Sequence, residues 1–138
     1  KAIVLNEGSD VSIFATGHLV YHALEAAKEL EKQGIKAEVI DIHTIKPLDN
    51  EAILKSVNKT KCVVSCEEHQ YNGGLNDSIA QLLVRNNPLP MEYVGIDDKF
   101  GESGKPDELM KEYGLTAENI VKAVKKVLAR KPIKNTLF

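Results

Sequence analysis

Hydrophobic and polar positions change period several times along the chain, and each change marks an element. Val11 to Thr16 is a short apolar run stopped by Gly17, the pattern of a buried strand. From Leu19 to about Gln33, residues Leu19, Ala23, Ala26, Ala27 and Leu30 recur at helical spacing with Glu and Lys opposite them. Gly34 follows where a helix end favours a left-handed residue. Lys36 to Ile42 alternates and then turns apolar, a second strand. Pro47 breaks the chain, Asp49 or Asn50 offers a cap, and a short helix is predicted to about Val57. Lys61 to Cys66 is the next strand, Gly74 to about Asn86 the next helix, and Met91 to Ile96 a further strand after Pro88 and Pro90. Beyond a glycine-marked loop the pattern predicts a short helix over Lys105 to Tyr113, closed by Gly114. Thr116 then caps a final helix in which Ile120, Val124, Val127 and Leu128 share a face. The chain opens directly on a strand-like Ala2-Ile3-Val4-Leu5, without Met, which suggests a fragment of something longer.

Strands alternating with helices through short links predict right-handed βαβ crossovers and a mostly parallel α/β sheet. At 138 residues the chain makes one domain, residues 1–138, large enough to bury its own core. Residues 132–138, beyond the final helix, are expected to fray. The net charge of −2 gives no field for nucleic acid or for an anionic membrane. Aromatic residues are sparse and Trp is absent, which argues against base-stacking platforms. No apolar run approaches the roughly 20 residues of a membrane span. Cys62 and Cys66 fall on one face of a strand and read as packed core. Two cysteines alone cannot supply a zinc site, and unpaired thiols fit a reducing compartment, so the expected location is cytoplasmic. Lys122, Lys125, Lys126, Arg130, Lys131 and Lys134 form a basic run that reads as a solvated helix end complementing its dipole.

The stretch from Val63 to Asp77 is the richest in chemistry. A buried-looking strand runs into Glu67, Glu68 and His69, and Gly73-Gly74 then opens an amphipathic helix. Open α/β sheets place their sites at carboxyl strand ends, and glycines expose backbone N–H groups at the positive end of a helix. The plainer reading makes the three polar residues a solvated loop and the glycines a simple turn. Other motifs fail on inspection. Gly101-Glu102-Ser103-Gly104-Lys105 has two residues between its glycines where a phosphate loop needs four, and Pro106 stands where Ser or Thr would hold magnesium. Thr16-Gly17-His18 offers one glycine, short of a dinucleotide fingerprint. His18 and His22 are four apart, but position 19 is Leu where a zinc protease needs Glu. His43 lies beside Asp41 and could form a local hydrogen bond. No nucleophile elbow is present.

Taken in order, several segments resemble one family. Asp10 to Gly17 resembles the opening strand and turn of the transketolase C-terminal domain. Ala23 to Leu30 and Gly34 to Asp41 are similar to its next helix and strand, and Ile45-Lys46-Pro47-Leu48-Asp49 to the following turn. Glu67-Glu68-His69 with Gly73-Gly74-Leu75 resembles its third strand and glycine pair. Phe100 to Gly104 and Leu109 to Thr116 resemble its tail.

The resemblance implies a three-layer sandwich around a five-stranded, mostly parallel sheet lying at a dimer contact. It implies a thiamine-diphosphate- and Mg2+-dependent transferase that moves a two-carbon ketol unit between sugar phosphates. In that family the coenzyme is held mainly by separate pyrophosphate- and pyrimidine-binding domains, which sometimes lie on another polypeptide. The Gly-Asp-Gly…Asn-Asn magnesium pattern is missing from this sequence. The chain alone is therefore expected to be inactive and to hold no coenzyme, metal or catalytic residue of its own. Glu68, His69, Gly73 and Gly74 are the candidates for an interface or the edge of a site that other domains complete. The same third domain occurs in deoxyxylulose-phosphate synthase and in the β subunit of 2-oxo-acid dehydrogenases. A stand-alone module that takes an anion at Gly73-Gly74 is the alternative of a different class. Self-association is expected through the sheet edge or through the glycine-pair helix, whose Leu75, Ile79, Leu82 and Leu83 are either contact surface or simply core.

Each predicted helix has one apolar face for the strands, so the chain is expected to fold by itself. Cooperative thermal unfolding and dispersed NMR signals are the expected result; a molten, dye-binding state would contradict it.

Overall fold

The computed structural model describes residues 1–17, 19–43, 47–68, 74–96 and 106–131. Their elements run β1 (Ala2–Asn6), β2 (Val11–Ala15), α1 (Leu19–Lys32), β3 (Ala37–Ile42), α2 (Asn50–Thr60), β4 (Val63–Glu68), α3 (Leu75–Asn86), β5 (Met91–Ile96) and α4 (Pro106–Ala129). The five strands form one sheet in the order β1-β3-β2-β4-β5. β3, β2, β4 and β5 are parallel neighbours, and β1 runs antiparallel along β3. This is the mostly parallel α/β sheet expected from the sequence.

A parallel sheet built by crossovers must be covered on both faces, and period-two alternation sorts the side chains between them. Val11, Ile13 and Ala15 of β2 join Val39, Val64, Cys66 and the apolar faces of α1 and α4 in one core layer. Phe14 joins Ile40, Val63 and residues of α2 and α3 in the other. All five residues of β2 are buried, as befits the middle strand. Burying a side chain such as Phe14 contributes roughly 1.5–3 kcal/mol.

The α2 face also carries a polar seam. Ser12 Oγ lies 2.6 Å from both Ser56 Oγ and Thr60 Oγ1. The Ser56 hydroxyl donates to Glu38 Oε2 at 2.8 Å, the Lys59 ammonium donates to Oε1, and the Gly8 N–H reaches Oε1 at 3.2 Å. Burial pushes the Glu38 carboxyl up, but the donors from Lys59, Ser56 and Gly8 more than offset it, and the net shift is below the usual carboxylate value. Position 8 requires glycine, because an added Cβ would sit 2.4 Å from the Ala37 carbonyl carbon.

Three sequence expectations change. β4 continues through Glu67 and Glu68, so these are strand residues and not a loop. α2 runs past Val57 to Thr60, ended by Lys61 in the left-handed conformation with its N–H on the Val57 carbonyl. The two helices expected on either side of Gly114 are one continuous helix, α4, with Pro106 at its first position. A mid-helix glycine costs only about 1 kcal/mol relative to Ala, which the apolar stripe of a 24-residue helix readily overrides. The 132–138 segment lies outside the described residues.

Because Gly114 is interior to a helix, Gly114→Ala should raise unfolding stability by roughly 0.5–1 kcal/mol. A urea midpoint shifted downward instead would indicate that Gly114 closes a helix, since a left-handed cap penalises Ala.

Candidate functional site

The chain leaves β2 toward β3 through α1, on one side, and leaves β4 toward β5 through α3, on the other. Strands β2 and β4 are adjacent, with Ala15 opposite Cys66. Their carboxyl ends therefore flank the point where the winding direction reverses, the place where open α/β sheets form a crevice. The Thr16-Gly17 turn borders it, with Gly17 at φ 54° and the first N–H groups of α1 already bonded to the Thr16 and Gly17 carbonyls. The end of β4 at Glu68 and the start of α3 border it as well.

Glu67 points to the α3 side of the sheet, Glu68 to the other. Glu67 is buried, and its Oε1 accepts the Leu75 N–H at 2.5 Å. Gly74 precedes α3 and brings no capping side chain, so a carboxylate from the neighbouring strand does that work. A negative charge there also complements the positive end of the helix dipole. One turn of side chain away, the Ser65 hydroxyl donates to Oδ1 of buried Asn76. Two polar pairs thus fasten the start of α3 to β4. This contact was missed in the sequence; its signal was a carboxylate at the end of a strand followed eight residues later by an uncapped, glycine-opened helix.

Glu68 sits half-buried at the very end of β4, and Gly74 lies immediately before α3. His69 and Gly73 lie outside the described residues, as do His18, Lys134 and the Gly101–Lys105 loop. At the end of β3, Asp41 Oδ2 and His43 Nε2 are 3.7 Å apart, an ion-pair distance rather than a hydrogen bond. Among the described residues no three His, Cys, Asp or Glu side chains group to hold a metal ion. Cys62 and Cys66 are free and buried in the α1/α4 core layer. Burial pushes the Cys66 thiol up to about 12 and is the main cause raising Cys62 to about 11, so neither is a nucleophilic thiolate at neutral pH. The basic run is partly structural: Arg130 pairs with Glu92 and donates to the Met91 carbonyl, Lys126 lies 3.6 Å from Glu92, and Lys131 reaches the Asp10 carbonyl. A groove of about 480 Å³ between α1 and α4, walled by Glu25, Glu29, Lys122 and Lys125, lies away from the strand ends.

The glycine-opened helix therefore greets an incoming anion with its own carboxylate. A diphosphate placed against Leu75 would have to displace the buried Glu67 or share the site with it, at a steep cost in repulsion. The residues present do not fit a bound thiamine diphosphate there.

Residues 1–120 match the family model described as the transketolase C-terminal domain. The chain belongs to that family. It is 50% identical over 131 residues to a 6-deoxy-6-sulfo-D-fructose transketolase subunit from Clostridium sp. (strain MSTE9), covering 95% of this chain and 41% of the relative. It is 38% identical to 1-deoxy-D-xylulose-5-phosphate synthase 1 of Geobacter sulfurreducens, over 93% of this chain and 20% of that enzyme. Among solved structures it is similar to a split-gene transketolase described as an inactive beta4 tetramer. The TM-score is 0.81 at 45% identity, covering 96% of this chain and 43% of that one. The chain thus spans less than half the length of these relatives. As a transketolase C-terminal domain it has the expected five-stranded sheet, and the start of its α3 is held by Glu67.

Replacing Glu67 should loosen the start of α3. Glu67→Ala is expected to cost about 1–2 kcal/mol of unfolding stability, as for the loss of a helix cap. Glu67→Gln, which keeps an oxygen acceptor but not the charge, should cost about 0.3–1 kcal/mol. Equal losses in urea titrations would show that the charge and not the hydrogen bond carries the contact.

Proposed function

We propose that this chain serves as the C-terminal structural domain of a thiamine-diphosphate- and Mg2+-dependent transketolase, which moves a two-carbon ketol unit between sugar phosphates. The supporting observation is the match over nearly the whole chain, in sequence and in shape, to subunits of transketolases. The coenzyme would supply the carbanion chemistry, and other domains would hold it. In this role the Glu67–Leu75 and Ser65–Asn76 contacts would fasten α3 to β4 in a sheet standing beside those domains. Glu68 stands at the carboxyl edge of the sheet, where it and His69 could border an active site completed by a pyrimidine-binding domain. The pyrophosphate- and pyrimidine-binding parts, on the same polypeptide or another, are the proposed partners, together with a second copy of the chain in a homodimer. The free, buried cysteines suit a reducing cytoplasm. Among the described residues no helix is long and apolar enough to cross a membrane.

A deoxyxylulose-phosphate synthase is the second reading, favoured by the 38% identity to that enzyme, and in it this domain would have the same supporting role. The stand-alone anion-binding module is disfavoured by the Glu67 carboxylate on the Leu75 N–H.

Calorimetry separates these readings from one in which the domain works alone. Thiamine diphosphate with Mg2+ titrated into the chain should give no binding heat at micromolar concentrations, and the chain should transfer no ketol unit. Co-expression with pyrophosphate- and pyrimidine-binding parts should yield activity. Micromolar binding to the isolated chain would overturn the assignment.

A further inference from the structure

A line of polar groups crosses from α2 to the amino ends of β2 and β3, away from the crevice at the carboxyl ends. Ser12 and Glu38 are neighbours in the parallel pairing of β2 with β3, and Ser56 and Thr60 face them from α2. All four residues are buried. Each hydroxyl has a single proton to give, which fixes the direction of every link.

Ser56 spends its proton on Glu38 Oε2, at 2.8 Å. In the 2.6 Å contact between Ser12 and Ser56, Ser12 must then be the donor. Ser12 has no proton left for Thr60, also at 2.6 Å, so Thr60 donates to Ser12. The 3.3 Å contact of Thr60 with the Cys62 carbonyl is the minor branch. With Glu38 charged, donation runs from Thr60 to Ser12, to Ser56, to Glu38.

The two oxygens of Glu38 have different company. Oε1 takes the Lys59 ammonium from α2 and the Gly8 N–H from the turn before β2, while Oε2 takes Ser56. Lys59 is the charged group set against the carboxyl. Glu7, beside Gly8, and Lys36, at the start of the same strand, are both exposed. A proton taken from water by Glu38 therefore belongs on Oε2. The neutral carboxyl would give that proton to Ser56, Ser56 to Ser12, Ser12 to Thr60, and Thr60 to the Cys62 carbonyl. That carbonyl accepts the Ser12 N–H at 3.0 Å and has a second lone pair for the hydroxyl. Neither order leaves a hydroxyl proton without an acceptor, so one set of atoms supports two arrangements.

We propose that these hydroxyls form a two-state relay, in which one proton gained at Glu38 reverses every link and is felt at the Cys62 carbonyl, just before β4. The donors around Glu38 hold its carboxyl below the usual carboxylate value, so the charged order is the one present at neutral pH. Its contribution to stability is complete above the carboxyl's unfolded value and is lost as pH falls through the lower folded value.

A double-mutant cycle at neutral pH, between two residues that share no direct hydrogen bond, tests the relay. In Glu38→Gln, Lys59 and Gly8 select the amide oxygen for the Oε1 position, so the amide NH2 faces Ser56 and imposes the reversed order. Thr60→Val removes one donor from the charged order, but in the reversed order it strands the buried Ser12 proton. The fall in urea midpoint caused by Thr60→Val should be about twice as large in the Glu38→Gln background. Ser12→Ala cuts the relay, and in its presence the two falls should be equal. Equal falls with Ser12 in place, or unequal ones without it, would overturn the proposal. Carbon-13 NMR gives a second reading that needs no Glu38 variant. On acidification the Cys62 carbonyl should shift with the same midpoint as the Glu38 carboxyl, and in Ser12→Ala it should not. A Cys62 carbonyl that ignores Glu38 in the unaltered chain, or still follows it in Ser12→Ala, would equally rule the relay out.

Discussion

The fold depends on one constraint: the middle strand, β2, has no solvent side. Its neighbours β3 and β4 satisfy its backbone, and each of its side chains must be buried in one core layer or the other. Parallel pairing forces long crossovers, and the crossovers supply the helices that cover both faces. α1 and α4 close one side, α2 and α3 the other. The reversal of winding between β2 and β4, and with it the location of the crevice, follows from that arrangement.

Polar groups enter the α2/α3 layer only under tight terms. Ser12 takes a position that apolar residues hold elsewhere in β2, and it is bearable there because Ser56 and Thr60 face it. Glu38 is bearable because an ammonium, a hydroxyl and a backbone N–H converge on it. Glu67 uses the same logic with a helix end in place of a lysine. Each buried carboxylate ties a strand to the helix that packs on it, so these groups fix which helix turn sits over which strand residue, a register that apolar packing alone leaves looser.

The sequence made most of the architecture legible because hydrophobic periodicity reports which face of an element is buried. β5 was read at its observed bounds, and α1 ended where Gly34 adopts its left-handed conformation at φ 79°. The misreadings share a cause, which is that local signals were given more weight than long-range contacts. α2 overran Val57 because its left-handed cap is Lys61, a residue type that advertises no helix end. Gly114 looked like a stop, yet α4 passes through it. Glu67 looked like a loop carboxylate because its partner, the Leu75 N–H, is a backbone group invisible to any residue pattern. The candidate site was legible to the same depth: Gly74 was placed at the start of α3, but β4 was ended two residues early at Cys66, and the carboxylate that occupies the helix start was not seen.

That occupancy bears on how work is divided in such an enzyme. A helix N-terminus opened by glycines is available to a ligand only while its donors are unfilled. Here the domain fills the first donor itself and uses the helix dipole to fasten α3 to its own strand β4. What remains at the carboxyl edge is geometric: Glu68 at a fixed strand end, on the sheet face opposite Glu67, beside the Gly17 turn. Such an edge is set by the chain's own strand and helix contacts and does not depend on a bound ligand. Relatives with different names, a 6-deoxy-6-sulfo-D-fructose transketolase subunit and a 1-deoxy-D-xylulose-5-phosphate synthase, both match nearly the whole of this chain, so one domain sequence accompanies more than one enzyme name.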